Sequence, residues 1–414
     1  VVRAEQGLRR GDRMTIKVRI GDIRIGREET ASVLESLAEG QLSEGRKTKE
    51  FEKLWARYIG TKHCVALNSG SSALLAGLHA LIHDVRRPKV RPGCRVITSP
   101  VTYVATSNAV VLAGMEPVYV DIDSRTFTLD INQVEDVLRR DRKGHALLLP
   151  VHLMGYVNDM DALNDLARRY DLAVFEDAAQ AHGSLYKGRR AGSLSDLAEY
   201  SFYIAHNIQV GEMGAVVTDD EALCRLIRRI KANGRLCDCR VCRRSAGKCP
   251  HRGAAFDPRF THDLIGFNFK TAELHAAIAI PQVGRADAII RARQHNVRTL
   301  NAKLEPYAEI FQLPVYSEEV SYLAYPLVIR DPRWSREKIM TALERAGVET
   351  RPLFGCIPTQ QPAYRSLQQR YEGRLPRADF AGKNGFYIGC HQYLGRADLD
   401  CVEEAFRNLI RKGP

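Results

Sequence analysis

Between about residue 60 and residue 220 the chain alternates two spacings of apolar positions. Short runs rich in β-branched and aromatic residues lie at 94–100 (CRVITSP), 117–123 (PVYVDID), 145–151 (HALLLPV), 172–178 (LAVFEDA), 199–205 (EYSFYIA) and 214–220 (GAVVTDD). Between them stand stretches such as 160–170 (MDALNDLARRY), with apolar residues three and four apart, the spacing of an amphipathic helix. Strands buried on both faces read as unbroken apolar runs, so this alternation predicts an α/β fold with a mainly parallel sheet and helices on both faces. Upstream, KEFEKLWARYIG places Phe51, Leu54, Trp55 and Tyr58 on one helical face.

The texture changes near residue 234. The segment 234–260 is rich in Cys, Arg and Gly with little periodicity and reads as an excursion loop. Helical spacing returns at 271–311, and YLAYPLVI with helices at 335–346 and 398–411 suits a small α+β unit. The expected division is a flexible arm at 1–14, a large domain at 15–285 carrying the Cys-rich loop, and a small C-terminal domain at 286–414. The arm has basic residues but no apolar run after them, so it does not read as a signal peptide.

Composition narrows the class. Of 414 residues, 45% are hydrophobic and 27% charged, the balance of an ordinary globular protein. No window approaches a membrane span, and a cytoplasmic setting is expected. The net charge of +12 is spread along the chain rather than gathered in a stripe, which points to a phosphate-bearing small molecule or an acidic protein partner rather than nucleic acid. Ten cysteines without a secretory signal argue against a disulfide framework.

Four segments carry candidate chemistry. At 68–81 (NSGSSALLAGLHAL) a strand runs through small residues into a helix; bare amides and hydroxyls there make a phosphate cradle or merely a helix cap. At 174–184 (VFEDAAQAHGS) Asp177 ends a buried strand, where open α/β sheets bind ligands; it serves either a protonated ring nitrogen or a cap. At 199–220 two strands flank a polar, Gly-containing bend. Finally Cys237, Cys239, Cys242 and Cys249 are spaced C-x-C-x2-C-x6-C, which suits an iron–sulfur cluster or structural zinc, with unligated thiols as the alternative. Cys64, Cys94, Cys224, Cys356, Cys390 and Cys401 are scattered and read as core or incidental.

In this order the segments GSSA, EDAAQAHGS, SFYIAHN with GEMGAVVT, and IGFNFKTAELHAA resemble the DegT/StrS sugar-aminotransferase family, over about residues 16–412. The resemblance implies a pyridoxal-phosphate fold of type I with a mainly parallel seven-stranded sheet. It also implies pyridoxal or pyridoxamine phosphate as cofactor, a nucleotide-sugar substrate, and a homodimer with shared active sites. By the same resemblance Gly70, Ser71 and Ser201 cradle the cofactor phosphate, and Tyr103 stacks on the ring. Asp177 pairs with the ring nitrogen, Gln180 bonds the ring's 3′-oxygen, and Asn268 reaches the neighbouring subunit's cofactor phosphate.

One position departs from the family pattern. Where its aminotransferases carry the Schiff-base lysine, this chain has His206, and no lysine occurs from 188 to 230. Imidazole cannot form that bond, yet it can remove and return a proton. The sequence thus resembles the family's lysine-less branch, the nucleotide-sugar 3-dehydratases, also in RPLFGCIPTQQPAY (351–364) and FYIGCHQYLG (386–395). It differs from that branch in having His206-Asn207 rather than two histidines, and in keeping Gln180. The expected function is deoxygenation at carbon 3 of a nucleotide-linked 4-keto-6-deoxyhexose, in deoxysugar, antibiotic or polysaccharide biosynthesis. Some members of that branch hold an iron–sulfur cluster, so a ferredoxin or flavin reductase is an expected electron donor. Two alternatives remain: an unusual aminotransferase on a sugar or aminocyclitol, and a non-catalytic binding member of the fold.

Overall fold

A computed structural model describes residues 16–237, 244–250, 253 and 256–414. The expected arm, 1–14, lies outside the described residues, as do Cys239 and Cys242.

The first part of the chain builds strands β1 (His63–Leu67), β2 (Arg95–Thr98), β3 (Glu116–Tyr119), β4 (His145–Leu149), β5 (Ala173–Asp177), a small hairpin of β6 (Leu185–Tyr186) and β7 (Arg189–Arg190), then β8 (Leu197–Ser201) and β9 (Gly214–Thr218). Seven of them form one sheet in the order β1-β9-β8-β5-β4-β2-β3. β9 runs antiparallel to both its neighbours, and the other pairings are parallel. The expected run 199–205 is therefore a strand only to Ser201. The backbone then turns, with the His206 amide bonded to the Tyr203 carbonyl. That turn ends the strand.

The helices between the strands cover both faces. They are α1 (Arg27–Ala38), α2 (Arg46–Ile59), α3 (Gly70–His83), α4 (Ala105–Leu112), α5 (Ile131–Arg140), α6 (Met160–Tyr170), α7 (Glu221–Ile230), α8 (Glu273–Gly284) and α9 (Ala286–Leu304). Three apolar clusters line the sheet, one around Leu67, Leu74, Phe175 and Leu197, one around Phe51, Trp55, Tyr200 and Phe202, and one around Ile97, Leu148, Leu163 and Val174. The α2 face read from sequence is there, with Phe51 and Trp55 fully buried.

Beyond α9 come strands β10 (Phe311–Gln312), β11 (Tyr325–Ile329), β12 (Thr350–Pro352) and β13 (Gly385–Ile388). They pair antiparallel in the order β10-β11-β13-β12, with helices Arg336–Arg345 and Arg396–Lys412 packed on them. The residues just after the arm join this second sheet's side, since Val18 forms a parallel bridge with Val348. Among the described residues no helix is long and apolar enough to cross a membrane. Of the six scattered cysteines, Cys64, Cys94, Cys224, Cys356 and Cys390 are buried and Cys401 is half-buried.

Candidate active site

The carboxyl ends of the central strands converge where β1 enters α3. Ser69 is extended and caps α3, its hydroxyl oxygen accepting from the Ser72 amide at 3.1 Å. The next residues, Gly70 and Ser71, leave their amides at the positive end of a fourteen-residue helix. A Cβ on Gly70 would lie 2.6 Å from the Ser201 Cβ, so glycine is what lets the helix start approach the end of β8. Gly214 is needed for the same reason, because a side chain there would run into the Ser69 carbonyl. Gly70, Ser71 and Ser201 are thus brought to one concave corner with the donors an anion requires.

Asp177 ends β5 and is buried. Its Oδ2 accepts from the Thr106 hydroxyl at 2.6 Å, and no cation contacts it among the described residues. A buried carboxylate without a counter-charge is costly, and a protonated ring nitrogen would supply the missing charge. Tyr103, three residues before Thr106, is exposed, its ring edge-on to Phe354 at 6.0 Å, with a face open to a flat ligand. Gln180 is buried and accepts from the Met154 amide at 2.9 Å. Met154 is a fully buried residue with φ of 56°, an uncommon conformation for a non-glycine residue that aims this amide at Gln180.

His206 sits in the turn after β8. Behind it lies His182, with ring centroids 5.8 Å apart, and behind that Trp55 and Phe202. The His206 Nδ1 is buried with no partner among the described residues, and so are His182 Nε2 and Asn207 Oδ1. Asn207 donates to Ser321 Oγ at 2.6 Å, which ties the turn to the second part of the chain. Burial, reinforced by the charge of Arg293, lowers the His206 pKa to about 4. His206 is therefore a neutral imidazole at ordinary pH. Arg293 itself is fully buried and donates to the carbonyls of Tyr322 and Leu323 and to Gln392 Oε1, with no carboxylate partner among the described residues.

Sequence reasoning missed Thr106, Glu199 and Arg293. Glu199, inside the buried strand LAEYS, is the one with a legible signal, an acid in an apolar run. Asn268 stands apart from the cluster. It is exposed, on a segment that bridges Ala232, and its neighbour Phe269 accepts from the Asn68 amide. Of the four loop cysteines, Cys237 and Cys249 are half-buried and free, and by themselves they make no ligand set. No group of three or more metal-ligating side chains occurs among the described residues.

Sheet order, the helix start facing the end of β8 and the strand-end aspartate are those of a type I pyridoxal-phosphate fold. Residues 23–407 match the DegT/DnrJ/EryC1/StrS aminotransferase family, and the chain belongs to it. It is 32% identical over 373 residues to the GDP-perosamine synthase of Caulobacter vibrioides, covering 89% of this chain and 91% of that one. It is 30% identical over 397 residues to the dTDP-4-dehydro-2,6-dideoxy-D-glucose 3-dehydratase of Saccharopolyspora spinosa, covering 93% and 85%. The E. coli GDP-4-keto-6-deoxy-D-mannose-3-dehydratase, solved with bound hydrated PLP, superposes with a TM-score of 0.84 at 23% identity, over 94% of this chain and 99% of that one. The chain thus belongs to a family of B6 enzymes of which these relatives are named for nucleotide-linked sugars.

Proposed function

We propose that this chain is a pyridoxamine-phosphate-dependent 3-dehydratase acting on a nucleotide-linked 4-keto-6-deoxyhexose. The observation that carries the reading is His206, a neutral imidazole with a free buried nitrogen, where the family's aminotransferases have lysine. The cofactor, when bound, supplies an amine for the sugar's keto carbon and a ring that accepts an electron pair. Gly70, Ser71 and Ser201 would hold its phosphate, Tyr103 its ring face, Gln180 its ring oxygen and Asp177 its ring nitrogen. His206 would take and return a proton at the cofactor's 4′ carbon, the transfer that elimination of the sugar's 3-hydroxyl requires. Being uncharged at neutral pH, its imidazole has a lone pair free to accept that proton. With histidine at this position, the turn offers no lysine amine to displace the bound sugar.

Three further assignments belong to the same reading. Asn268, exposed in the single chain, would reach a partner's cofactor across a homodimer. Cys237, Cys239, Cys242 and Cys249 would hold an iron–sulfur cluster or zinc. In the iron–sulfur case a ferredoxin or flavin reductase would be the electron donor. Similarity to the perosamine synthase, together with the retained Gln180, favours as second reading an aminotransferase-type reaction on a sugar.

Cofactor attachment tests the proposal. After incubation with pyridoxal phosphate and borohydride, the cofactor should dialyse away from the protein. Mass spectrometry showing a phosphopyridoxyl-lysine would overturn the role given to His206.

A further inference from the structure

The buried acid at the centre of the site has a second acid beside it. β5 and β8 run parallel, and their register sets Asp177 directly against Glu199. Alternate residues of β8 share a face, and that face is the one turned to α3: Leu197 approaches Gly77, and Ser201 approaches Gly70. Glu199 lies between them, beneath the first turns of the helix, and is 1% exposed. It therefore shares a sheet face with Ser201 and Asp177.

Among the described residues no cation acts on Glu199. The register of β9 opposes it with Val216. The overlying stretch of α3, Gly70–Gly77, contains no ionisable side chain. Tyr200 projects to the opposite face, where its hydroxyl is committed to the Ala191 carbonyl. Asp177 alone among the described residues acts on Glu199, both through its charge and as a hydrogen-bond partner, and these effects add to burial in raising the Glu199 pKa. One oxygen, Oε2, is buried with no donor. Two adjacent carboxyls cut off from water and cations cannot both ionise. Asp177 already accepts the Thr106 hydroxyl at 2.6 Å, so a hydrogen shared between the two acids is donated by Glu199.

We propose that Glu199 is a positioning residue for the ring-nitrogen contact, staying protonated and donating its carboxyl hydrogen to Asp177. This rests on the reading of Asp177 as the partner of the ring nitrogen. The two acids then present one negative charge and one fixed oxygen. A hydrogen bond from Glu199 stabilises ionised Asp177, so the proton shared with the cofactor stays on the ring rather than passing to the carboxylate.

The test reads the ring nitrogen directly. Protein is loaded with pyridoxal phosphate carrying 15N in the ring, and the nitrogen resonance is recorded for wild type, Glu199→Gln, Glu199→Val and Asp177→Asn. Gln still donates to Asp177, so its signal should match the wild-type, protonated position. Val cannot donate, and its signal should move toward that of neutral pyridine. A Val variant indistinguishable from wild type would overturn the proposal. An unmoved signal in Asp177→Asn would instead remove the Asp177 reading beneath it. Should Glu199→Val not fold, denaturation of the apoproteins from pH 5 to 9 serves. The wild type should lose stability relative to Glu199→Gln as pH rises, by up to about tenfold in the folding constant per pH unit. Parallel curves would mean that Glu199 is ionised, and would equally overturn the proposal.

Discussion

Replacing His206 with glutamine should change how the apoprotein's stability responds to acid. Burial and the Arg293 charge hold the His206 pKa at about 4, against an ordinary value of 6.5. Between those values the folded chain binds fewer protons than the unfolded chain. The associated stability is fully present above pH 6.5 and is lost as pH falls toward 4. A displacement of this size corresponds to about 3.5 kcal/mol, taking roughly 1.4 kcal/mol per pH unit, and this is an upper bound. His182 and His391 are lowered by burial in the same way, so the wild-type curve alone does not isolate His206. The difference between wild type and His206→Gln does. Urea denaturation of both apoproteins from pH 4.5 to 8 should show the wild type falling more steeply through acid. Parallel curves would refute the argument, because they would mean that His206 titrates as a solvent-exposed histidine.

Other substitutions probe the rest of the site. Gly70→Ala forces a Cβ against Ser201 and should lower stability by about 1–3 kcal/mol, the usual range for overpacking. A fluorescence titration should also show pyridoxal phosphate binding at least tenfold more weakly to this variant. His206→Lys should convert a dialysable cofactor into one fixed by borohydride, read by intact-protein mass. If the proposed loop site holds a metal, changing any one of Cys237, Cys239, Cys242 or Cys249 to serine should lose most of it by elemental analysis, while Cys64→Ser, in the core, should retain it.

The sheet was legible because its strands are buried on both faces and so read as nearly unbroken apolar runs, β4 being HALLL with four apolar residues after its histidine. Strand direction was not legible. Nothing in GAVVT distinguishes the antiparallel β9 from its parallel neighbours. The tight entry into α3 showed itself through Ser69 and Gly70, whose roles as cap and close-approach residue are local. Arg293 was hidden among arginines that look alike along α9. Yet the helical period places it with the buried Ile289, Ile290, Val297 and Leu300, whereas Arg291 faces out. The pairing of Asp177 with Glu199, twenty-two positions apart, depends on which strands are neighbours, and single-chain periodicity does not carry that.

The most direct measurement of the central claim is the structure of the product. Purified protein would be given pyridoxamine phosphate, an amino donor and a panel of nucleotide-linked 4-keto-6-deoxyhexoses, and the sugars analysed by NMR. The lysine-less site predicts a product with a methylene at carbon 3 and no amine at carbon 4. A 4-amino sugar that keeps its 3-hydroxyl, formed catalytically, would contradict it and make the chain an aminotransferase.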